Sequence, residues 1–137
     1  MSKLSKIFSV SKNVGNIRFS GNNSWIGQIG EHKGFCCFID QIYSIRALII
    51  LIKNYIDKHD DYSIERIISR YAPSTENDTA SYIKFVENAF DDIGYSYNHI
   101  NSTDLSFYTL CRCICQYETG FILTLNEFNY VRQRFHV

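Results

Sequence analysis

Apolar residues fall at helical steps over most of the chain, but not over its first quarter. From Asn13 to Gly34 the sequence is rich in Gly, Asn and Ser with no helical period, and it reads as turns with a short β-hairpin. Phe35–Phe38 follows as an apolar run, a strand or a buried loop. Ile45, Leu48, Ile49, Ile52 and Ile56 then form one stripe, which predicts a central helix from an Asp40 cap to about Lys58. Ser63 caps a shorter helix carrying Ile64, Ile67, Ile68 and Tyr71. Pro73 stops it, because the residue before a proline avoids helical backbone. Asn77 or Asp78 opens the next helix, with Tyr82, Ile83, Val86 and Phe90 on its apolar face, and Asp91–Asn101 reads as a loop. Ser102 or Thr103 caps a helix with Phe107, Leu110, Cys111 and Ile114, ending at Glu118. Thr124-Leu125-Asn126-Glu127 has capping-box spacing ahead of a last stripe, Phe128, Val131 and Phe135. Residues 1–12 are polar and basic, a loose arm or a short helix. The fold class expected is mainly α, one domain over residues 13–137 with a loop-rich N-terminal region and a short β-hairpin.

Composition narrows the function. An apolar fraction of 45% with one Pro and seven Gly in 137 residues supports a real core and argues against disorder. Fourteen basic residues balance fourteen acidic ones, so no electrostatic footprint for nucleic acid or anionic lipid is present. An uncharged polymer such as a glycan remains open. Ten Tyr, ten Phe and one Trp supply core and also flat faces suited to sugar rings. Cys36, Cys37, Cys111, Cys113 and Cys115 are odd in number and wrongly spaced for a disulfide framework or a zinc site, so buried thiols in a reducing compartment are expected, with no metal and no cofactor. Ile45–Ile52 is too short to span a bilayer, and no hydrophobic leader follows Met1-Ser2-Lys3-Leu4.

Glu118 is the acid that stands out. It continues the stripe Phe107, Leu110, Cys111, Ile114 and precedes Thr119 and Gly120. A carboxyl group ending an apolar helix face is partly desolvated, which raises its pKa and suits a general acid. The plain alternative is a last-turn Glu that reaches into solvent.

Several segments together resemble a family. Asn13-Val14-Gly15-Asn16-Ile17-Arg18-Phe19-Ser20, with Asn23, Trp25, Gly27 and Gln28, resembles the NPGNIRYS…NWxGQ opening of small phage and prophage proteins called P5-like structural proteins, whose namesake is a lysin. Phe35, Phe38, Tyr43-Ser44-Ile45-Arg46-Ala47 and Asn54-Tyr55 resemble GFxxFxxxxYGIRA…NY. Ile67-Ile68-Ser69-Arg70-Tyr71-Ala72-Pro73, Glu76-Asn77-Asp78-Thr79 and Tyr82-Ile83 resemble IIxRWAPxxENDTxxYI, and Tyr117-Glu118-Thr119-Gly120 stands where the family has HENG. The family's pieces in turn look like those of lysozyme-like peptidoglycan hydrolases in altered order. The resemblance therefore implies a circularly permuted lysozyme-like domain in which the Asn16–Arg18 loop meets Glu118 in space.

That resemblance implies a glycosidase, of lytic transglycosylase or muramidase type, acting on the peptidoglycan glycan strand. Glu118 would protonate the leaving oxygen and take a proton back, which requires one carboxylate on a transglycosylase and two on a common hydrolase. Glu31, Asp40, Glu76 and Asp78 are the candidate partners, and the single-acid reading is preferred. Asn16 and Arg18 are candidates to hold N-acetyl or lactyl oxygens, Arg18 alternatively anchoring the loop. Trp25 and Tyr71 stack on sugars or fill the core; Asn77 and Thr79 touch substrate or cap a helix; Tyr82 lines a groove or joins the core. Three departures stand out: Val14 replaces Pro, Tyr117 replaces His and Thr119 replaces Asn. The expected setting is synthesis without a signal peptide and action in the periplasm or on the cell wall, as a phage lysin or an exported antibacterial effector with an immunity protein as partner. The competing expectation is a non-catalytic virion or secretion-apparatus protein of the same shape.

Overall fold

The computed structural model describes residues 11–22, 24–75 and 77–137. Most of the expected N-terminal arm, Asn23 of the opening motif and the candidate acid Glu76 lie outside them. Ser11, assigned to the arm, is buried, and its hydroxyl accepts from the Asn13 amide at 3.2 Å.

Among the described residues, five helices form where the apolar stripes place them. Helix α1 spans Gln41–His59, capped by Asp40, whose carboxylate accepts from the Ile42 amide at 3.0 Å. Asp60, in left-handed backbone, ends it. Helix α2, Ile64–Tyr71, starts on the Ser63 hydroxyl and stops ahead of Pro73. Helix α3 covers Thr79–Ile93, with Asp78 as its cap. It runs three residues into the segment expected as loop, because Gly94 at φ 75° supplies the stop. Helix α4 spans Leu105–Thr119 and is capped by Asp104, not by Ser102 or Thr103. The Thr103 amide and hydroxyl are instead bonded to the Asn101 side chain, in a turn one step earlier. Helix α5, Leu125–Phe135, starts on the Thr124 hydroxyl as its capping-box spacing predicts. The reciprocal half of that box is not made, since the Glu127 carboxylate accepts from Gln41 Nε2 at 3.0 Å and ties α5 to the start of α1.

The fold is mainly helical with one short antiparallel hairpin, β1 (Gln28–His32) against β2 (Phe35–Phe38). Lys33 and Gly34 turn it, both at positive φ, which is the two-residue loop that matches strand twist. The second strand is therefore the apolar run 35–38, and the hairpin lies further along the chain than the Gly-rich stretch suggested. Residues 17–19 lie along the other edge of β2: Cys36 donates to the Ile17 carbonyl at 3.0 Å and Phe19 to the Gly34 carbonyl at 2.9 Å.

The stripe of α1 is fully enclosed, with Ile45, Leu48, Ile49 and Ile52 all at zero exposure. Each such side chain contributes about 1.5–3 kcal/mol by leaving water. Helix α1 packs against α5, α2 and β2, while α3 lies between α2 and α4. All five cysteines are buried and unpaired. Among the described residues no helix is long and apolar enough to cross a membrane.

Candidate active site

Asn13 shapes the loop that faces Glu118. Its fully buried side chain donates to the carbonyls of Ile17 at 2.9 Å and Cys36 at 3.1 Å, and accepts from the Ile17 amide at 2.9 Å. Three bonds from one amide close residues 13–17 and fix them to the hairpin. Asn16 sits at φ 52°, left-handed backbone that Asn tolerates better than most residues. Val14 is accounted for here as well: its amide donates to Ser44 Oγ on α1 at 3.1 Å, a bond that a proline at this position could not make.

The loop then locks onto the end of α4. Thr119 Oγ1 is 2.8 Å from the Val14 carbonyl, which it reaches across more than a hundred residues of sequence. Tyr71, from the end of α2, donates its hydroxyl to the Gly15 carbonyl at 2.5 Å. A Cβ on residue 15 would stand 2.8 Å from that hydroxyl, so glycine is what allows the approach. Asn16 Nδ2 donates to the Glu118 carbonyl at 3.1 Å and lies 3.5 Å from its carboxylate Oε1. The structure thus brings Asn16 and Glu118 together from opposite ends of the chain.

Glu118 is half-buried rather than reaching into solvent. Burial pushes its carboxyl above the usual carboxylate range, and the Tyr82 hydroxyl, the Asn16 amide and the Arg18 charge pull it part of the way back. Among the described residues, which do not include Glu76, no second carboxylate acts on it. Tyr71 and Tyr82 both have phenols held well above their ordinary pKa, by burial first and then by the neighbouring Glu118, so both remain neutral hydrogen-bond donors.

Among the described residues Asn16 Oδ1 and the Tyr82 hydroxyl, both beside this carboxyl, are buried without a hydrogen bond of good geometry. The Tyr82 hydroxyl nevertheless acts on Glu118 as a hydrogen-bond donor, so its proton is already directed at the carboxyl. Buried polar atoms nearly always have a partner, so the unmet Asn16 Oδ1 next to a raised carboxyl marks a place where a donor is in demand.

The remaining predicted residues divide. Tyr82 belongs to the core at zero exposure, its hydroxyl at the site and its ring beneath Tyr117. Arg18 is exposed, with its guanidinium 5.1 Å from the Phe35 ring centre and its charge felt at Glu118. Trp25 is half-buried against the core, its amide bonded to Gln28 Oε1. Asn77 and Thr79 have their polar groups engaged by the chain itself: Asn77 Nδ2 donates to the Pro73 carbonyl at 3.2 Å, and the buried Thr79 hydroxyl donates to Ala72 at 2.6 Å. Of the candidate second acids, Asp40 and Asp78 cap α1 and α3, and Glu31 accepts from the Gly34 amide in the hairpin turn. Asn13 and Tyr117 were not among the expected site residues, although Asn13 opens the loop motif and Tyr117 adjoins Glu118 in place of a His.

No family model matches the chain. Over 64 residues it is 45% identical to Protein P5 of Pseudoalteromonas phage PM2, in an alignment covering 43% of this chain and 40% of that protein. The chain thus spans about two fifths of the relative's length, and part of it is similar to a phage P5 protein.

Proposed function

We propose that the protein is a peptidoglycan-degrading glycosidase in which Glu118 is the single general acid and base. The observation that carries this reading is the half-buried Glu118 carboxyl, raised by burial and met by Asn16 from 102 positions away, with no second carboxylate acting on it among the described residues. A protonated Glu118 delivers its proton to the glycosidic oxygen as the bond breaks and an oxocarbenium-like centre develops. The resulting carboxylate then removes a proton, from the sugar's own 6-hydroxyl as it closes an anhydro ring or from a water that adds to the centre. One acid suffices for the first route, so the lytic transglycosylase outcome is favoured over the muramidase one. Tyr82 and Asn16 stabilise the carboxylate formed between the two transfers, and their donors limit how far burial raises the pKa. The resemblance of the loop and helix-end motifs to lysozyme-like wall enzymes supplies the substrate class. The site of action is the periplasm or cell wall, reached by phage- or secretion-mediated delivery, with an immunity protein as partner if the protein is an exported toxin.

Glu118→Gln removes the proton while keeping the shape. Release of muropeptides from purified peptidoglycan should fall by about 10²- to 10⁴-fold with an unchanged circular dichroism spectrum. Mass spectrometry of the wild-type products should show anhydro ends. Equal release by wild type and variant would sink the reading.

A second reading is a non-catalytic phage virion or secretion-apparatus protein. It is favoured by the similarity to a phage protein and by the interlock at Val14, Asn16 and Thr119, whose main-chain contacts serve structure whether or not chemistry occurs. Wild-type protein inert on peptidoglycan would select it.

A further inference from the structure

Tyr117 takes no part in the proton transfers above, and its position is unusual for a last-turn helix residue. Its ring stacks on Tyr82 with centres 4.0 Å apart and planes 24° from parallel. Phe85 closes one side at 5.4 Å and 56°. Both partners come from α3, so one face and one edge of the Tyr117 ring are committed to the protein. Tyr117, next in sequence to Glu118, nevertheless keeps 37% of its surface exposed although one face of its ring is stacked on Tyr82. The Tyr82 ring beneath is fully buried, so the plane of Tyr117 is set by the core. An aromatic plate fixed in this way loses little freedom when something settles on it. Its electrostatic neighbours are Asp78 and Glu118, both acidic, which disfavours an anionic ligand group over the ring.

We propose that Tyr117 is the stacking platform that positions a neutral hexosamine ring beside Glu118, with the apolar C–H face of the pyranose lying on the exposed face of the phenol. This rests on the glycosidase reading of Glu118 and adds to it a residue that determines substrate position. The site takes an uncharged, flat-faced sugar, held by contact area and ring orientation more than by ion pairing.

The test pairs two substitutions. Tyr117→Phe keeps the plate, and Tyr117→Leu keeps an apolar cover over Tyr82 without a flat face. Both are to be compared with wild type in kinetics on purified, peptide-free glycan strands, with melting curves confirming folding. The same substitutions in a Glu118→Gln background report strand binding without turnover. Expected are a KM within about twofold of wild type for Tyr117→Phe and a rise of about five- to tenfold for Tyr117→Leu, with kcat little changed, as loss of one aromatic contact implies. An unchanged KM in Tyr117→Leu overturns the platform and leaves the role of Glu118 intact. Wild-type protein that releases nothing but binds strands more tightly than Tyr117→Leu supports the platform while removing the acid. Wild-type protein that neither releases nor binds overturns both.

Discussion

Glu118 couples chemistry to stability through one proton. Its folded pKa lies above the ordinary 4.5 because burial disfavours the charged form. Between the two values the folded protein therefore binds more protons than the unfolded chain, and stability falls as pH rises through that window. The contribution is fully present below the unfolded value and is lost once pH passes the folded one. Replacing Glu118 with Gln removes the titration, so urea melts taken from about pH 4 upward should show a flatter stability profile than wild type. The variant should also be the more stable of the two at neutral pH. Identical profiles would mean that the carboxyl is not desolvated. The same direction applies to turnover under the glycosidase reading, since only the protonated group can donate.

At the scale of elements, the loop 13–18 depends on Asn13, which opens its motif but whose bonding the motif does not reveal. Asn13→Ala would strand the Ile17 amide and the Cys36 carbonyl, both buried in the interface between loop and hairpin, and would leave the Ile17 carbonyl only its bond from the Cys36 amide. Leaving such groups unmet costs about 1–3 kcal/mol each before relaxation, so thermal denaturation should show a loss of about 3 kcal/mol. A loss under about 0.5 kcal/mol would show that the loop is held from elsewhere. Helices are legible here because each stripe has a capping residue in front of it: Asp40, Ser63, Asp78 and Thr124 all cap as their positions suggest. Where two polar residues compete, pattern alone does not decide, and Asp104 took the cap that Ser102 or Thr103 was expected to fill. The Glu127 carboxylate also left its own helix start for Gln41, a tertiary contact that no local rule contains. Within the site, the meeting of Asn16 with Glu118 was foreseeable only from motif order. The engagement of Thr79 and Asn77 with the α2–α3 connection depends on backbone turns that residue identity leaves open.

At the scale of the whole molecule, opposite charges cancel, fourteen against fourteen. Long-range attraction to a strand is then absent, and contact has to be made by shape and hydrogen bonding. Raising salt from about 50 to 200 mM should alter glycan release by less than about twofold; a steep decline would reveal a charged patch acting locally. The larger consequence lies in which parts of the chain the site joins. Asn16 is made 102 positions before Glu118. A growing chain on the ribosome cannot bring them together, because α4 is still missing while α1, α2 and α3 emerge. The acid therefore acquires its donor only after α4 has emerged, and the rate at which this contact closes is set by the long search between segments distant in sequence. Any cut between α1 and α4 that lets the halves drift apart would disarm the carboxyl without touching it.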